Sequence, residues 1–315
     1  MRASFLLPFV CLGGFLLAEE VTPTLTLRYE PVDATRGRTV PVKVYLRPGK
    51  NPQPVVIFSH GLGGSRENSP YLGEHWAAKG YVAVFVQHPG SDESVWKETE
   101  GAGRFAALKA AASLKSFADR VGDIPFVLDR LEEWNAAEGH DLKGCLDLEH
   151  IGLCGHSFGA VTTQAMMGQR FRLDRSFADP RLDAFFLMSP SASRTIPSAE
   201  AFGHIAAPVL CMTGTKDGSP IRPDETPETR LETYASLPAE DKYQLVFEGG
   251  GHFAFSDTGF FDEQRQPHHH AAIQLLSTRF WDAYLKGDEA AKAWLRSEQP
   301  RAGAKLLEKD RWEWK

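Results

Sequence analysis

The stretch from His150 to Met167, HIGLCGHSFGAVTTQAMM, constrains the fold of this chain more than any other. Residues 151–154 form an apolar run that predicts a buried strand, and residues 160–167 can form a helix. The sequence GHSFG between them leaves room only for a sharp turn. Glycines on both sides let strand and helix approach closely, and the turn strains the backbone of Ser157. We therefore expect the Ser157 hydroxyl to stand at the carboxyl end of a sheet strand; the alternative is that Ser157 only caps the helix.

Continuous apolar runs elsewhere predict further strands that are covered on both faces of a sheet. The runs lie at 55–58, 81–86, 151–154, 184–188, 209–213 and 243–247. Helical patterns lie at 71–79, 119–135, 157–168 and 271–285. Residues 24–29 and 40–46 instead alternate apolar and polar side chains, as half-buried antiparallel strands do. The sequence therefore predicts an α/β fold with a mostly parallel sheet, helices on both faces and antiparallel N-terminal strands.

The N-terminal residues have the pattern of a cleavable secretion signal. One arginine precedes an apolar run at 5–17 that is too short to span a bilayer, and Ala18 follows this run. We therefore expect residues 1–18 to be a signal peptide, no stable membrane insertion, and a secreted or periplasmic protein. The alternatives are that the run belongs to the fold, or that Cys11 carries a lipid anchor.

The remainder of the chain, 19–315, contains no repeat, no low-complexity tract and no clear linker, so we expect a single domain. A segment at about 92–118 includes an Ala-rich amphipathic stretch, which either packs as a helix or covers the site as a lid. A short helix and a polar tail are expected at 287–315. The sequence does not indicate an oligomeric state.

Charge and composition argue against several partners. The chain carries 35 Lys and Arg against 41 Asp and Glu, a net charge of −6, so nucleic acid is not expected as a partner. Neither a GxGxxG motif nor a phosphate-binding loop is present, so no cofactor is expected. The histidines at 268–270 would point about 100° apart on a helix, so we expect a solvated helix start and no metal site. Cys154 and Cys211 fall within apolar strands and should pack as free thiols.

Two residues that follow later strands complete a set of groups for nucleophilic chemistry. Asp217 follows the run at 209–213, and His252 follows the run at 243–247. Because parallel strands all end at one edge of the sheet, these side chains can meet Ser157 there despite their separation in sequence. In such a set the histidine takes the serine proton and the acid orients the histidine. We therefore expect Ser157, Asp217 and His252 to be the catalytic residues.

Backbone amides that could stabilise an oxyanion are expected at two turns. One belongs to Phe158, directly after the serine, and the other to Leu62 in the loop HGLGG at 60–64. The alternative is that this loop is a plain glycine turn. The ring side chains near these motifs and near His252 are candidates for pocket lining: His60, His88, His156 and Phe253. The alternative is that the rings of His60 and His156 pack or form hydrogen bonds locally.

The motif FSHGLGG at 58–64, together with GHSFG at 155–159, resembles the platelet-activating-factor acetylhydrolase family and its bacterial dienelactone-hydrolase-like relatives. The resemblance runs from about 54 to 285. It implies an α/β-hydrolase fold with the order Ser, Asp, His along the chain. It also implies that Ser157 is the nucleophile and His252 the base, with the Leu62 and Phe158 amides as oxyanion donors.

These observations together predict a serine hydrolase that cleaves carboxylic esters through an acyl-enzyme intermediate. The expected substrate is a small-molecule ester or a lipid, with a short or lipid-like acyl group. Hydrolysis of lactones, thioesters, polyesters or peptides by the same triad stays open, because the acyl pocket is built from loops that the sequence does not assign. A non-catalytic binding protein on a hydrolase fold is the remaining alternative.

Overall fold

Most strands of the chain come together in one mixed sheet. The computed structural model describes residues 23–49, 51–101, 103–257 and 265–315, so the expected signal peptide at 1–18 lies outside the described residues. The strands are β1 (Leu25–Tyr29), β2 (Val32–Asp33), β3 (Arg38–Thr39), β4 (Val42–Leu46), β5 (Gln53–Ser59), β6 (Val82–Val86), β7 (Leu146–His156), β8 (Ala184–Met188), β9 (Val209–Lys216), β10 (Lys242–Gly251) and β11 (Arg311–Trp314). In this part of the chain, nine strands form one sheet in the order β1-β4-β6-β5-β7-β8-β9-β10-β11, and β2 pairs separately with β3.

The direction of the strands confirms the predicted fold class. The neighbouring strands from β6 through β5, β7, β8 and β9 to β10 all run parallel. The N-terminal strands β1 and β4 are antiparallel to their neighbours. At the other edge, β11 pairs with β10 in the antiparallel sense, so part of the expected polar tail is a sheet strand. Trp312 on this strand is buried and stacks on Tyr243 of β10.

Helices cover both faces of the sheet. They are α1 (Pro70–Ala78), α2 (Ser94–Lys97), α3 (Gly103–Ala111), α4 (Leu114–Ala136), α5 (Phe158–Met166), α6 (Ser198–Phe202), α7 (Pro227–Arg230), α8 (Glu232–Ser236), α9 (His269–Leu285), α10 (Glu289–Leu295) and α11 (Gln299–Gly303). Strand β5 shows how the two cores are divided. Val55 and Ile57 pack in the core that contains residues of α4 and α5, whereas Val56 and Phe58 pack in the core that contains residues of α1 and α9. Because side chains alternate along a strand, continuous apolar runs supply both cores.

The segment at 92–118 is not one helix. Helix α3 ends at Ala111, and α4 begins at Leu114 with Ser113 as its N-cap, whose hydroxyl accepts the Ser116 N–H at 3.1 Å. Helix α3 buries none of its residues. Among all described residues, every helix is too short or too polar to cross a lipid bilayer.

Strand β7, the turn after it and helix α5 are held together by very close backbone contact. A methyl group added at Gly159 would overlap the carbonyl oxygen of Ser59 at the end of β5. A methyl group added at Gly155 would overlap the backbone of Gly159 itself. The sequence therefore has glycine where β7, α5 and the end of β5 meet without space for a side chain.

This contact yields a prediction about stability. We expect Gly159→Ala to lower the free energy of unfolding by more than about 3 kcal/mol, because the added carbon meets backbone atoms that cannot rotate away. Gly218→Ala is the matched control, since the nearest atom to its added carbon is 3.8 Å away. Urea unfolding should show the control within about 1 kcal/mol of the unsubstituted protein. Equal urea midpoints for the two variants would show that the turn is not close-packed.

Candidate active site

The backbone of Ser157 is strained in the way that a sharp strand-to-helix turn requires. Its φ is 56° and its ψ is −115°, outside the regions that residues with side chains ordinarily occupy. The Ser157 N–H donates to the Met188 carbonyl at 2.9 Å, which ties the turn to the end of β8. Ser157 is partly exposed although its neighbour Gly159 is buried. The turn thus presents the hydroxyl at the carboxyl edge of the parallel strands.

His252 and Asp217 meet Ser157 at this edge. The distance from His252 Nε2 to Ser157 Oγ is 2.8 Å, and the distance from His252 Nδ1 to Asp217 Oδ1 is 2.7 Å. Since a carboxylate can only accept, the Nδ1–H donates to Asp217. Nε2 is then unprotonated and accepts the Ser157 hydroxyl proton. The structure therefore brings together the three side chains that the sequence predicted, in hydrogen-bonding order.

Asp217 is buried and remains ionised. Burial raises the pKa of the Asp217 carboxyl. The hydrogen bond from His252 and the positive charge of Arg230 have a larger, opposite effect, so that the pKa is lowered to about 2. The Thr213 hydroxyl donates to Oδ2 of the same carboxylate at 2.8 Å. Both oxygens of Asp217 therefore have donors, and these donors fix the carboxylate opposite the imidazole.

Arg230 is a buried residue of this site that the sequence analysis did not single out. Its Nε lies 3.6 Å from Asp217 Oδ1 and donates to the Asp217 carbonyl at 3.3 Å. Its Nη1 donates to the Pro190 carbonyl and to the Ser191 hydroxyl, each at 3.1 Å. Arg230 therefore connects the loop after β9, which carries the acid, to the loop after β8. Arg230 lies at the end of a Pro-rich polar segment, and this sequence context does not predict that the side chain is buried.

The glycine-rich loop after β5 lies directly beside the serine. A carbon added at Gly61 would be 3.4 Å from Ser157 Cβ. The Gly63 N–H donates to the Ser91 carbonyl at 2.8 Å, and the Gly64 N–H donates to the Gly61 carbonyl at 3.1 Å. These two amides are committed within the protein, and Leu62 stays the predicted oxyanion donor of this turn. The second expected donor, Phe158, is the first residue of α5, where N–H groups have no partner within a helix.

The histidines expected as pocket residues are buried. His60 is 1% exposed, His88 is 0% exposed and His156 is 8% exposed. The His156 Nε2–H donates to the His252 carbonyl at 2.9 Å, so His156 supports the backbone of the triad histidine. The rings of His60 and His156 thus pack and form hydrogen bonds locally, which is the alternative that the sequence left open, and His88 does not line an open pocket. Phe253 is partly exposed and stands edge-on to the His252 ring.

A second Ser-His-Asp chain lies behind the glycine-rich loop. His88 Nε2 is 2.9 Å from Ser59 Oγ, and His88 Nδ1 is 2.9 Å from Asp123 Oδ2. Arg38 contacts both oxygens of Asp123 at 2.8 Å. Unlike Ser157, all three members of this chain are 0% exposed, so no substrate can reach Ser59. This chain is a structural support that the sequence analysis did not recognise.

The histidines at 268–270 do not form a solvated helix start, which corrects the sequence-based expectation. His268 Nε2 lies 2.9 Å from Asp310 Oδ2, His269 is fully buried, and the His270 ring stacks on Tyr71 with centroids 3.8 Å apart. The three rings thus pack the start of α9 against neighbouring residues. In the described residues, no group of three or more His, Cys, Asp or Glu side chains is arranged to hold a metal ion.

The segment at 92–118 lies against the glycine-rich loop. Trp96 Nε1–H donates to the Gly63 carbonyl at 2.7 Å. A carbon added at Gly63 would be 2.6 Å from Cδ2 of Leu108. These contacts place α2 and α3 next to the expected oxyanion turn, which is where a lid would have to lie. That the segment covers the site as a lid remains a prediction.

The buried histidines generate a prediction about acid stability. Burial lowers the pKa of His88 to about 4 and that of His156 to about 3, and it lowers the pKa of His60 well below the ordinary value. An unfolded histidine takes up a proton near pH 6.5, whereas these folded ones stay neutral until the pH is much lower. Their contribution to stability is therefore present above about pH 6.5 and is lost as the pH falls toward 4.

Urea unfolding at pH values from 7 to 4.5 checks this prediction. We expect the free energy of unfolding to fall across this range, and His156→Gln to reduce the slope. His150→Gln, at a half-exposed histidine, is the control and should leave the slope unchanged. A free energy of unfolding that is constant between pH 6.5 and pH 5 would contradict the prediction.

Comparison with known proteins agrees with the fold. The model of the family described as platelet-activating factor acetylhydrolase, isoform II, matches residues 34–100, which include β5 and the glycine-rich loop but none of the triad. No curated protein matches the chain. A solved structure of a ferulic acid esterase from Streptomyces cinnamoneus is similar, with a TM-score of 0.62 and 23% identity over 84% of this chain and 91% of that chain. The chain therefore has the α/β-hydrolase fold, and its residues 34–100 are similar to the platelet-activating-factor acetylhydrolases.

Proposed function

We propose that the protein is a serine hydrolase that cleaves carboxylic esters through an acyl-enzyme intermediate. The observation that carries the proposal is the unbroken hydrogen-bond chain from Ser157 Oγ through His252 to Asp217, at 2.8 and 2.7 Å. The match of residues 34–100 to an acetylhydrolase family and the fold shared with a ferulic acid esterase support ester cleavage as the reaction. The expected signal peptide at 1–18 supports action outside the cytoplasm.

In the first half of the reaction, Ser157 Oγ attacks the ester carbonyl carbon while its proton moves to His252 Nε2. The imidazolium that forms is stabilised by the Asp217 carboxylate through Nδ1–H. Negative charge develops on the former carbonyl oxygen, and the amides of Leu62 and Phe158 donate to this oxygen. The carbon–oxygen bond to the alcohol then breaks, and the alcohol leaves with the proton from Nε2.

The second half repeats these steps with water. His252 Nε2 takes a proton from a water molecule as the water oxygen attacks the acyl carbon on Ser157. The same two amides stabilise the second oxyanion. When the bond between the acyl carbon and Ser157 Oγ breaks, the proton returns to the serine and the carboxylic acid is released. The substrate is a small-molecule ester, for which we propose a short or lipid-like acyl group.

The nucleophile is tested with Ser157→Ala. We expect this change to lower kcat for a nitrophenyl acetate by a factor on the order of 10^6, because no other group can form the acyl intermediate. A fluorophosphonate should label the unsubstituted protein at Ser157 and should not label the variant. Ser176→Ala, at an exposed serine, is the control and should keep full activity.

Two outcomes would count against the proposed function. Turnover by Ser157→Ala at the unsubstituted rate would show that the nucleophile is wrong. Labelling of Ser157 without turnover of any ester would instead direct the search to lactones, thioesters, polyesters or peptides.

The acid is tested with Asp217→Asn. An amide can donate to Nδ1 and so favours the histidine tautomer that carries its proton on Nε2, where the serine proton must go. We expect kcat to fall by a factor of about 10^4, with KM nearly unchanged. Thr213→Val removes only one donor to the carboxylate and should reduce kcat far less. Steady-state kinetics with nitrophenyl esters measures both changes, and equal losses in the two variants would argue against Asp217 as the acid.

A further inference from the structure

Arg120 on α4 is a fully buried cation at the back of the glycine-rich loop. Its Nε donates to the Ser91 hydroxyl at 2.7 Å, and its Nη1 donates to the His60 carbonyl at 2.7 Å. The carboxylates of Asp92 and Asp123 act on the Arg120 guanidinium through space. Burying a charge costs several kcal/mol even when partners are provided.

One of the groups that Arg120 contacts is the carbonyl of Gly61. Arg120 Nη2 donates to this oxygen at 3.3 Å, and the Gly64 N–H donates to it at 3.1 Å. The His60 ring supplies a third donor, with Nδ1 2.6 Å from the same oxygen. The His88 backbone N–H donates to His60 Nε2 at 3.1 Å, so the proton of the neutral His60 ring must be on Nδ1.

The Gly61 carbonyl and the Leu62 N–H belong to the same peptide group. Because a trans peptide is planar, its C=O and N–H point in opposite directions. Donors that hold the Gly61 oxygen toward α4 therefore hold the Leu62 N–H away from α4. A cation on the carbonyl side also polarises the peptide and makes its N–H a stronger donor.

The Arg120 guanidinium also contacts Phe158, whose backbone amide is the second expected oxyanion donor. Arg120 Cζ lies 4.4 Å from the centroid of the Phe158 ring, within the range of a cation–π interaction. Phe158 is the first residue of α5, so this contact holds the start of that helix against the glycine-rich loop. Arg120 thus contacts the Phe158 ring and the carbonyl of the peptide group that carries the Leu62 N–H.

The buried chain of Ser59, His88 and Asp123 supports the same loop from behind. Ser59 ends β5, and its hydroxyl lies 2.9 Å from His88 Nε2. His88 in turn holds the His60 ring through its backbone N–H, and Asp123 on α4 holds His88. This chain therefore fixes the distance between α4, which carries Arg120, and the loop that Arg120 contacts.

We propose that Arg120 is a positioning residue of the oxyanion hole, acting through the Gly61–Leu62 peptide and the Phe158 ring. The inference rests on the proposed ester hydrolysis by Ser157. Arg120 does not touch the substrate in this account. Its effect is to orient and polarise two amides, so it should change stabilisation of the oxyanion and not binding of the ester.

The test compares Arg120→Met and Arg120→Lys with a matched control. Arg181→Met is the control, because Arg181 also holds several groups but lies before β8, at the opposite end of the strands. We expect Arg120→Met to lower kcat by about 10- to 100-fold, somewhat less than the loss of a whole oxyanion donor, with KM within about twofold. Arg120→Lys keeps a basic donor but loses the planar fork, so its loss of kcat should be smaller and in the same direction. Arg181→Met should lose thermal stability without loss of kcat.

A second readout separates positioning from a merely structural role. A trifluoromethyl ketone accepts Ser157 Oγ at its carbonyl carbon and places the resulting oxyanion in the hole, while the serine proton moves to His252. We expect the inhibition constant for this ketone to rise in each Arg120 variant by the same factor as kcat falls. The melting temperature is measured in parallel. If Arg120→Met does not fold, the same comparison is made on Arg120→Lys alone.

The outcomes for the two proposals can be told apart. An unsubstituted protein without Ser157-dependent ester turnover would overturn the proposed function. An active unsubstituted protein, together with a folded Arg120 variant that keeps its kcat and its ketone affinity, would overturn the role of Arg120 and leave the proposed function intact. A rise in KM with kcat unchanged would also overturn that role, since it would place Arg120 in ester binding.

Discussion

The contact between Gly159 and the Ser59 carbonyl is the constraint on which the site depends. It brings the start of α5 against the end of β5, where only a hydrogen atom fits in place of a side chain. With β5 and α5 this close, the turn between β7 and α5 must be sharp, and Ser157 is left with a φ of 56°. The glycine-rich loop continues directly from Ser59. The serine and the loop that would hold the oxyanion are therefore parts of one rigid junction.

The described residues include two Ser-His-Asp chains with the same hydrogen-bond order, and the different burial of the two serines separates their roles. In one chain Ser157 is partly exposed, and in the other Ser59 is fully enclosed. Burial lowers the pKa of His88 to about 4, so its ring stays neutral as a fixed structural link. Hydrogen-bond geometry alone therefore does not identify a catalytic triad, and access of a substrate to the serine is also required.

Much of the site could be predicted from the sequence, because it follows from local rules. Ser157 is flanked by glycines, and Asp217 and His252 each come just after an apolar run. Parallel strands bring such positions to one edge whatever the loops between them do. Those rules do not depend on how the helices pack, so the three positions could be predicted without knowing where α4 lies.

The residues that were missed depend on packing between distant elements. Arg120 and Asp123 are three positions apart on α4, and polar residues at this spacing are typical of a solvated helix face. Only the position of α4 behind the glycine-rich loop makes them buried. The sequence predicts solvated histidines at 268–270 because it does not show which distant residues pack against them. In the structure, Asp310 and Tyr71 cover two of these histidines. The final strand β11 was missed because the residues of β10 with which it pairs lie 65 to 71 positions earlier in the chain.

Direct detection of the acyl-enzyme tests the central claim most directly. The protein is mixed with an ester of a slowly hydrolysed acid, quenched in acid after a short interval, digested and analysed by mass spectrometry. The account predicts the mass of one acyl group on the peptide that contains Ser157, and its disappearance at the rate of turnover. Turnover of the same ester with no acyl group on Ser157 at any time would contradict the account.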